Sequence, residues 1–330
     1  MAAGKASDFK IYNDQFFGGL VEETQQATEA LGGVGITVNS RPIRGDYDYR
    51  SFIKKIASLV TRRDTTSVSA ATDLAVAMDE VISVKLNRKI GPVAQTLDAW
   101  RKAALPFGDA GAGDDGAGAF SRYLGAMAAK DVSVDMLNTA LIAAWKALEQ
   151  SSSNKYTIAS NGTMTTAALI SGLSMFGDAA NRIKGLVMHS KVYFDLVQAQ
   201  VAANTYDVSG GVIKSGMPVT INRPVYVTDS TSLLVTGTPD LYRTLMLVDD
   251  GIVIENSETQ EMAFALVTGL ENLVARMQGE FAYNLKIAGF KWDVTNGGAN
   301  PSSGTVATAT NWDQVATSTK DLAGVSIISG

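Results

Sequence analysis

A chain of 330 residues, 46% of them apolar and only 18% charged, can bury a sizeable core in one large domain or two ordinary ones. The formal net charge is −5, and the longest basic runs are Lys54–Lys55 and Arg62–Arg63. This excludes a dedicated reader of nucleic-acid sequence while leaving room for loose apposition to DNA. The absence of cysteine excludes disulfides, thiolate catalysis and cysteine-ligated zinc.

The opening stretch MAAGKASDFKIYNDQFF lacks the apolar centre of a signal peptide. No later run approaches the roughly 18–20 apolar residues needed to cross a bilayer. The expectation is a protein that stays cytosolic or leaves by another route. Residues 9–31, FKIYNDQFFGGLVEETQQATEAL, pass from aromatics to a polar, helix-like segment. It buries little by itself and reads as an arm that gains order by lying on something else.

From Val34 to about Gln95 the texture becomes strand-rich. GVGITVNSRPIRGDYDYRSF has short alternating apolar positions and turn residues, and VISVKLNRKIGPV alternates again before Gly91–Pro92. Between them, SFIKKIASLVTRRDTTS has no core of its own. The whole predicts a projecting two-stranded excursion that packs against a neighbour.

Residues 97–107 predict a brief helix, followed by the loop FGDAGAGDDGAGAF. Apolar residues then recur at helical spacing from Ala119 to Gln150, with Asp131 and Ser133 suggesting a break or re-cap. Farther on, TAALISGLSMFGDAANRI predicts a helix and GLVMH a short strand, after which Ser190 is placed to cap SKVYFDLVQAQVAA. RPVYVTDS and YRTLMLVDDGIVIEN read as strands separated by turns. LENLVARMQGEFAYNLKIAGFKWDV reads as two strands joined around Gly279, and a tail rich in Gly, Ser, Thr and Ala ends the chain. Helices and strands alternate without regular βαβ spacing, which favours an α+β fold.

The motifs that resemble chemistry fail on context. Gly111–Gly116 matches the G-x-G-x-x-G of dinucleotide sites, yet no strand precedes it and Asp114 and Asp115 would repel a phosphate. Gly172–Gly177 approximates a nucleophile elbow around Ser174, but Phe176 stands where the tight turn needs glycine. His189 is the single histidine, and with no partner motif it reads as a strand-end structural residue. Asp249–Asp250 and Glu255 with Glu258 lack calcium-loop spacing, and Asp249–Asp250–Gly251 reads as a turn. No catalytic, cofactor-binding or metal-binding residue is expected.

The order of these segments, with the stretches GLVMHSKVYFDLVQ, GMPVTINRPVYVTDS, LENLVARMQGEFAYNLKIAGFKWDV and NPSSGTVATATNWDQVATSTKDLAGV, resembles the major capsid proteins of tailed bacteriophages with the HK97-type fold. The resemblance runs from about Phe16 to Val325. It implies an N-terminal arm at 1–33, an extended loop with flanking strands at 34–96 and a peripheral domain with a spine helix at 97–156. An axial domain at 157–254, return strands of the peripheral domain at 255–294 and a C-terminal tail at 295–330 complete the series. It further implies a structural protein, no enzyme, that assembles in the host cytoplasm into pentamers and hexamers of an icosahedral virion shell around double-stranded DNA. Scaffolding, portal and decoration proteins are its implied partners, besides non-specific contact with packaged DNA and none with membrane. Some family members crosslink through a lysine of the extended loop. Lys54, Lys55, Lys85 and Lys89 lie in that region, and nothing marks one of them for that role. A cargo-enclosing bacterial nanocompartment shell of the same fold and an α+β enzyme working through carboxylates are the competing expectations.

Overall fold

The structure is a computed structural model that describes residues 31–54, 59–60, 62–63, 65–68, 73–107, 117–204 and 223–330. The arm ahead of Leu31, the loop holding Gly111–Gly116 and Lys55 lie outside the described residues.

Thirteen strands are described, in three sheets. They are β1 (Ile36–Ser40), β2 (Tyr47–Ile53), β3 (Met78–Thr96), β4 (Lys155–Thr157), β5 (Ile183–His189), β6 (Val225–Thr228), β7 (Leu234–Val235), β8 (Leu241–Val248), β9 (Ile252–Val267), β10 (Val274–Ile287), β11 (Phe290–Trp292), β12 (Trp312–Gln314) and β13 (Gly324–Ser329), with the short β7 added beside β8. The first sheet has the order β1-β9-β10-β3-β2. β1 runs parallel to β9 and the other neighbours are antiparallel. The second has the order β4-β13-β8-β5-β6, and β11 pairs with β12 in a small third sheet.

The helix expected at 119–150 spans Ala117–Glu149 without a break. Asp131 is exposed and Ser133 only half-buried, while Ala129, Val132, Met136 and Ala140 stay buried on one face across the suspected break. That continuous apolar stripe outweighs two polar residues on the solvent side. At about 1.5 Å per residue the helix is roughly 50 Å long, and its second half lies between the two sheets. Its Leu137, Leu141, Ala144 and Leu148 share one core with Val84, Ile254 and Leu285 of the first sheet and Leu245 and Leu247 of the second. The opposite face of the second sheet carries a second core, where Met246, Ile327 and Met188 meet Leu169 of the helix Thr166–Ser174 and Val192 and Leu196 of the helix Ser190–Asn204.

Two expectations need correction. β10 is one strand that runs through Gly279, where a Cβ would come within 2.0 Å of the Met262 sulfur. The glycine admits the neighbouring strand and makes no turn. The expected turn at Asp249–Gly251 is present, and because β8 belongs to the second sheet and β9 to the first, the chain changes sheets there. Asp250 takes the left-handed conformation at φ 52°, which aspartate tolerates better than most residues. β9 begins at Ile252, directly after this turn. Finally, the last residues are no tail. β13 sits inside the second sheet, antiparallel to β8 and parallel to β4.

Candidate assembly interface

The pair β2–β3 is the projecting hairpin. It is in register from Tyr47↔Val84 to Ile53↔Met78, and the Lys54 amide donates to the Ala77 carbonyl at 2.8 Å. Beyond that point the described residues of 59–77 carry no strand. Eight of the nineteen large apolar side chains exposed among the described residues lie between Tyr49 and Met78, with Val60 92% and Val68 103% exposed. A concentration of apolar surface on a thin projection marks a surface that another molecule covers. Leu266, Leu270 and Leu273 form a smaller exposed set around the β9–β10 turn.

A polar cluster fixes the hairpin at its root. Val84, Ile254 and Leu285 face the core, so their neighbours along each strand point to the opposite face. There Glu255, 5% exposed, holds Lys286 at 2.6 Å and Arg50 at 3.2 Å, and accepts from Asn284 at 3.1 Å. Asp48 of β2 takes Arg41 at 2.7 Å, Lys286 at 2.9 Å and Arg50 at 3.2 Å. Asn284 also donates to Ser83 at 2.9 Å. The network thus ties β2 and the segment after β1 to the central strands β9 and β10, which aims the hairpin.

Burial pushes the Asp48 carboxyl up, but hydrogen bonds and charge from Lys286 and Arg41 outweigh it and hold the group below the usual carboxylate range. A depressed carboxylate contributes stability above its unfolded value, and that contribution is lost as pH falls through the folded value. Asp48→Asn should therefore lower the unfolding free energy by about 2 kcal/mol at neutral pH. The difference from the parent should shrink as pH drops below about 4. Denaturant midpoints of both proteins across that range check this, and a gap that stays constant or widens in acid contradicts it.

The structure separates the residues that sequence had singled out for chemistry. Ser174 ends the helix Thr166–Ser174 and donates to the Ser171 carbonyl at 2.7 Å. Gly172 of that helix faces Ile327 so closely that a Cβ would lie 2.5 Å from it, which is a packing contact. His189 ends β5 and rests against Tyr242, ring centroids 5.0 Å apart. Its Nδ1 accepts from the Lys191 amide at 3.2 Å, the position of a helix N-cap. The cap is His189 in place of the expected Ser190, whose hydroxyl turns instead to Asp229. Asp249 pairs with Lys184 at 2.6 Å, and Asp250 accepts from the Thr37 hydroxyl at 2.5 Å. Glu255 belongs to the root network and Glu258 pairs with Lys85. Lys54 pairs with Asp79 at 2.8 Å, and Lys89 is exposed on β3 opposite Glu280.

The sequence signature of the Gp13-like family, described as major capsid protein 13-like, matches residues 8–326. The chain belongs to that major capsid protein family. No curated protein sequence matches it. Among solved structures, the capsid asymmetric unit of cyanophage Pam1 is similar at a TM-score of 0.53 and 11% identity, with 89% of this chain and 88% of that one covered. The capsid of Ralstonia phage GP4 follows at 0.49 and 10%, covering 91% and 87%. The Pam1 likeness shows that this capsid protein has the HK97-type fold. Among its described residues no three His, Asp or Glu side chains stand as a metal-holding group, and no helix is long and apolar enough to cross a membrane.

Sequence reading of this capsid protein found the projecting hairpin and missed the charged root that orients it. A signal was present, because Asp48 and Arg50 alternate with Tyr47 and Tyr49 along β2. The charged partners on β9 and β10, however, lie more than 200 residues away, beyond the reach of local patterning.

Proposed function

We propose that this major capsid protein self-assembles into pentamers and hexamers of an icosahedral phage head that encloses double-stranded DNA. The first sheet and the long helix form the peripheral block, and the second sheet with its two covering helices forms the axial block around the symmetry axes. The observation that carries the reading is the hairpin: an apolar projection held at a fixed angle by a buried ionic root suits a limb that lies across a second copy of the chain. The N-terminal arm serves the same purpose. Maturation is a rigid-body rearrangement of capsomers at bistable interfaces. Scaffolding, portal and decoration proteins join the shell, and assembly takes place in the host cytoplasm. A mildly acidic subunit encloses DNA without gripping it.

The contents of particles isolated from their natural source test this. Nuclease-protected double-stranded DNA is the expected result, and particles holding packed protein cargo without DNA would replace the phage head by a nanocompartment.

A further inference from the structure

Arg243 of β8 is an arginine that the fold leaves unsatisfied. It is 7% exposed and points, like Leu245 and Leu247, to the face that packs against the long helix. Its Nε and Nη1 are buried with no hydrogen-bond partner. Its Nη2 stands 3.6 Å from Glu149 Oε1, beyond the length of a hydrogen bond. The guanidinium carbon lies 5.0 Å from the centre of the Trp145 ring. Buried donors without acceptors are rare in folded proteins, and each one costs its desolvation.

The same carboxylate serves two further cations. Lys146 Nζ is 3.0 Å from Glu149 Oε2 and 3.9 Å from the Trp145 ring centre, and Lys155 Nζ is 3.7 Å from Glu149 Oε1. Three cations against one carboxylate leave an excess of two positive charges at the C-terminal end of the long helix. Burial pulls the Arg243 guanidinium below the usual arginine range, and the charge of Glu149 offsets this only in part. The group stays protonated at any ordinary pH. Neutralising helix-end carbonyls accounts for about half a charge, so most of the excess has no counterpart among the described residues.

We propose that this cluster is a binding site for an oxyanion of the phosphate class, held by Arg243 with Lys155 and Lys146. The planar guanidinium presents a fork that fits two oxygens of a phosphate, and it lies over the Trp145 ring. The two lysines supply point charges from either side of Glu149. The Lys155 side chain is 35% exposed and that of Lys146 24% exposed, so the anion enters past them and takes the place of Glu149 beside Arg243. Inorganic phosphate and a nucleic-acid phosphodiester share this chemistry. The proposal does not depend on shell formation.

The test is a phosphate titration of the full-length protein against sodium chloride at matched ionic strength, followed by thermal unfolding and tryptophan fluorescence. The expected result is a saturable response specific to phosphate, with the unfolding midpoint raised by roughly 2 °C or more. Arg243→Met should abolish it, and Lys155→Gln should weaken the apparent affinity about tenfold. Lys320→Gln, a surface cation elsewhere, should leave it intact. If Arg243→Met fails to fold, Lys155→Gln at a partly exposed position decides alone. Once saturation is seen, displacement by a short DNA duplex assigns the site to a phosphodiester, and lack of displacement assigns it to the free anion. An identical response in chloride, or one undiminished in both variants, overturns the proposal and leaves Arg243 satisfied by water.

Discussion

Removal of residues 324–330 should abolish folding of the second sheet. β13 lies between β8 and β4, pairing with β8 from Gly324↔Leu247 to Ser329↔Tyr242 and with β4 at Ser326, Ile327 and Ile328. Its Val325, Ile327 and Ile328 are buried, and at about 2 kcal/mol per side chain they represent roughly 6 kcal/mol of burial. That figure omits the ladders on both sides, and it is already comparable with the roughly 5–15 kcal/mol that keeps a domain folded. Gly324 closes the entry to the strand. At φ 149° it brings its backbone so near Met246 that a Cβ would lie 1.8 Å from the carbonyl oxygen. The truncated chain should be insoluble, or soluble with much of its strand signal missing from circular dichroism and without a cooperative transition. Loss of Gly330 alone, which removes its backbone hydrogen bond to Gly162 and the one its carbonyl accepts from Lys191, should cost little. A truncated protein that unfolds cooperatively at the parental midpoint would show that the strand is dispensable.

Excising residues 54–77 should have the opposite profile: the fold survives and assembly is lost. Ile53 and Met78 are the last paired residues of the hairpin, so an Asn-Gly linker can close them in a tight two-residue turn. Leu59, Val60, Val68, Leu74 and Val76 are all exposed, and removing them takes no side chain from either main core. The shortened protein should unfold within a few degrees of the parent while forming no closed shells. Normal shells from this variant would mean that the hairpin tip makes no essential contact between subunits. Deleting the whole of 34–96 is a different experiment, because Ile36, Val84 and Leu86 belong to the main core, and the protein should then unfold.

These two variants mark where the sequence was readable. The hairpin strands, the long helix and the strand before His189 were legible because each carries its signal locally, in alternation or in helical spacing of apolar residues. The C-terminal strand GVSIIS was not, since a run of six residues amid Gly, Ser and Thr looks like a tail until its two partners are known. For the same reason Gly279 read as a turn: its purpose, admitting Met262, is set by a strand 17 residues upstream. Asp249–Asp250–Gly251 was correctly placed as a turn, yet only the topology reveals that it moves the chain between sheets. The ionic root of the hairpin was the least visible feature. Its members come from four strands and the segment after β1, and its charged members, each taken alone, read as ordinary surface charges.

Completion of its burial in a closed shell of identical copies is the role proposed for this subunit. Electron microscopy of the purified full-length protein, concentrated under assembly conditions, tests it most directly. Closed particles of uniform size with fivefold and sixfold capsomers are the expected result. A protein that remains exclusively monomeric at high concentration would contradict it.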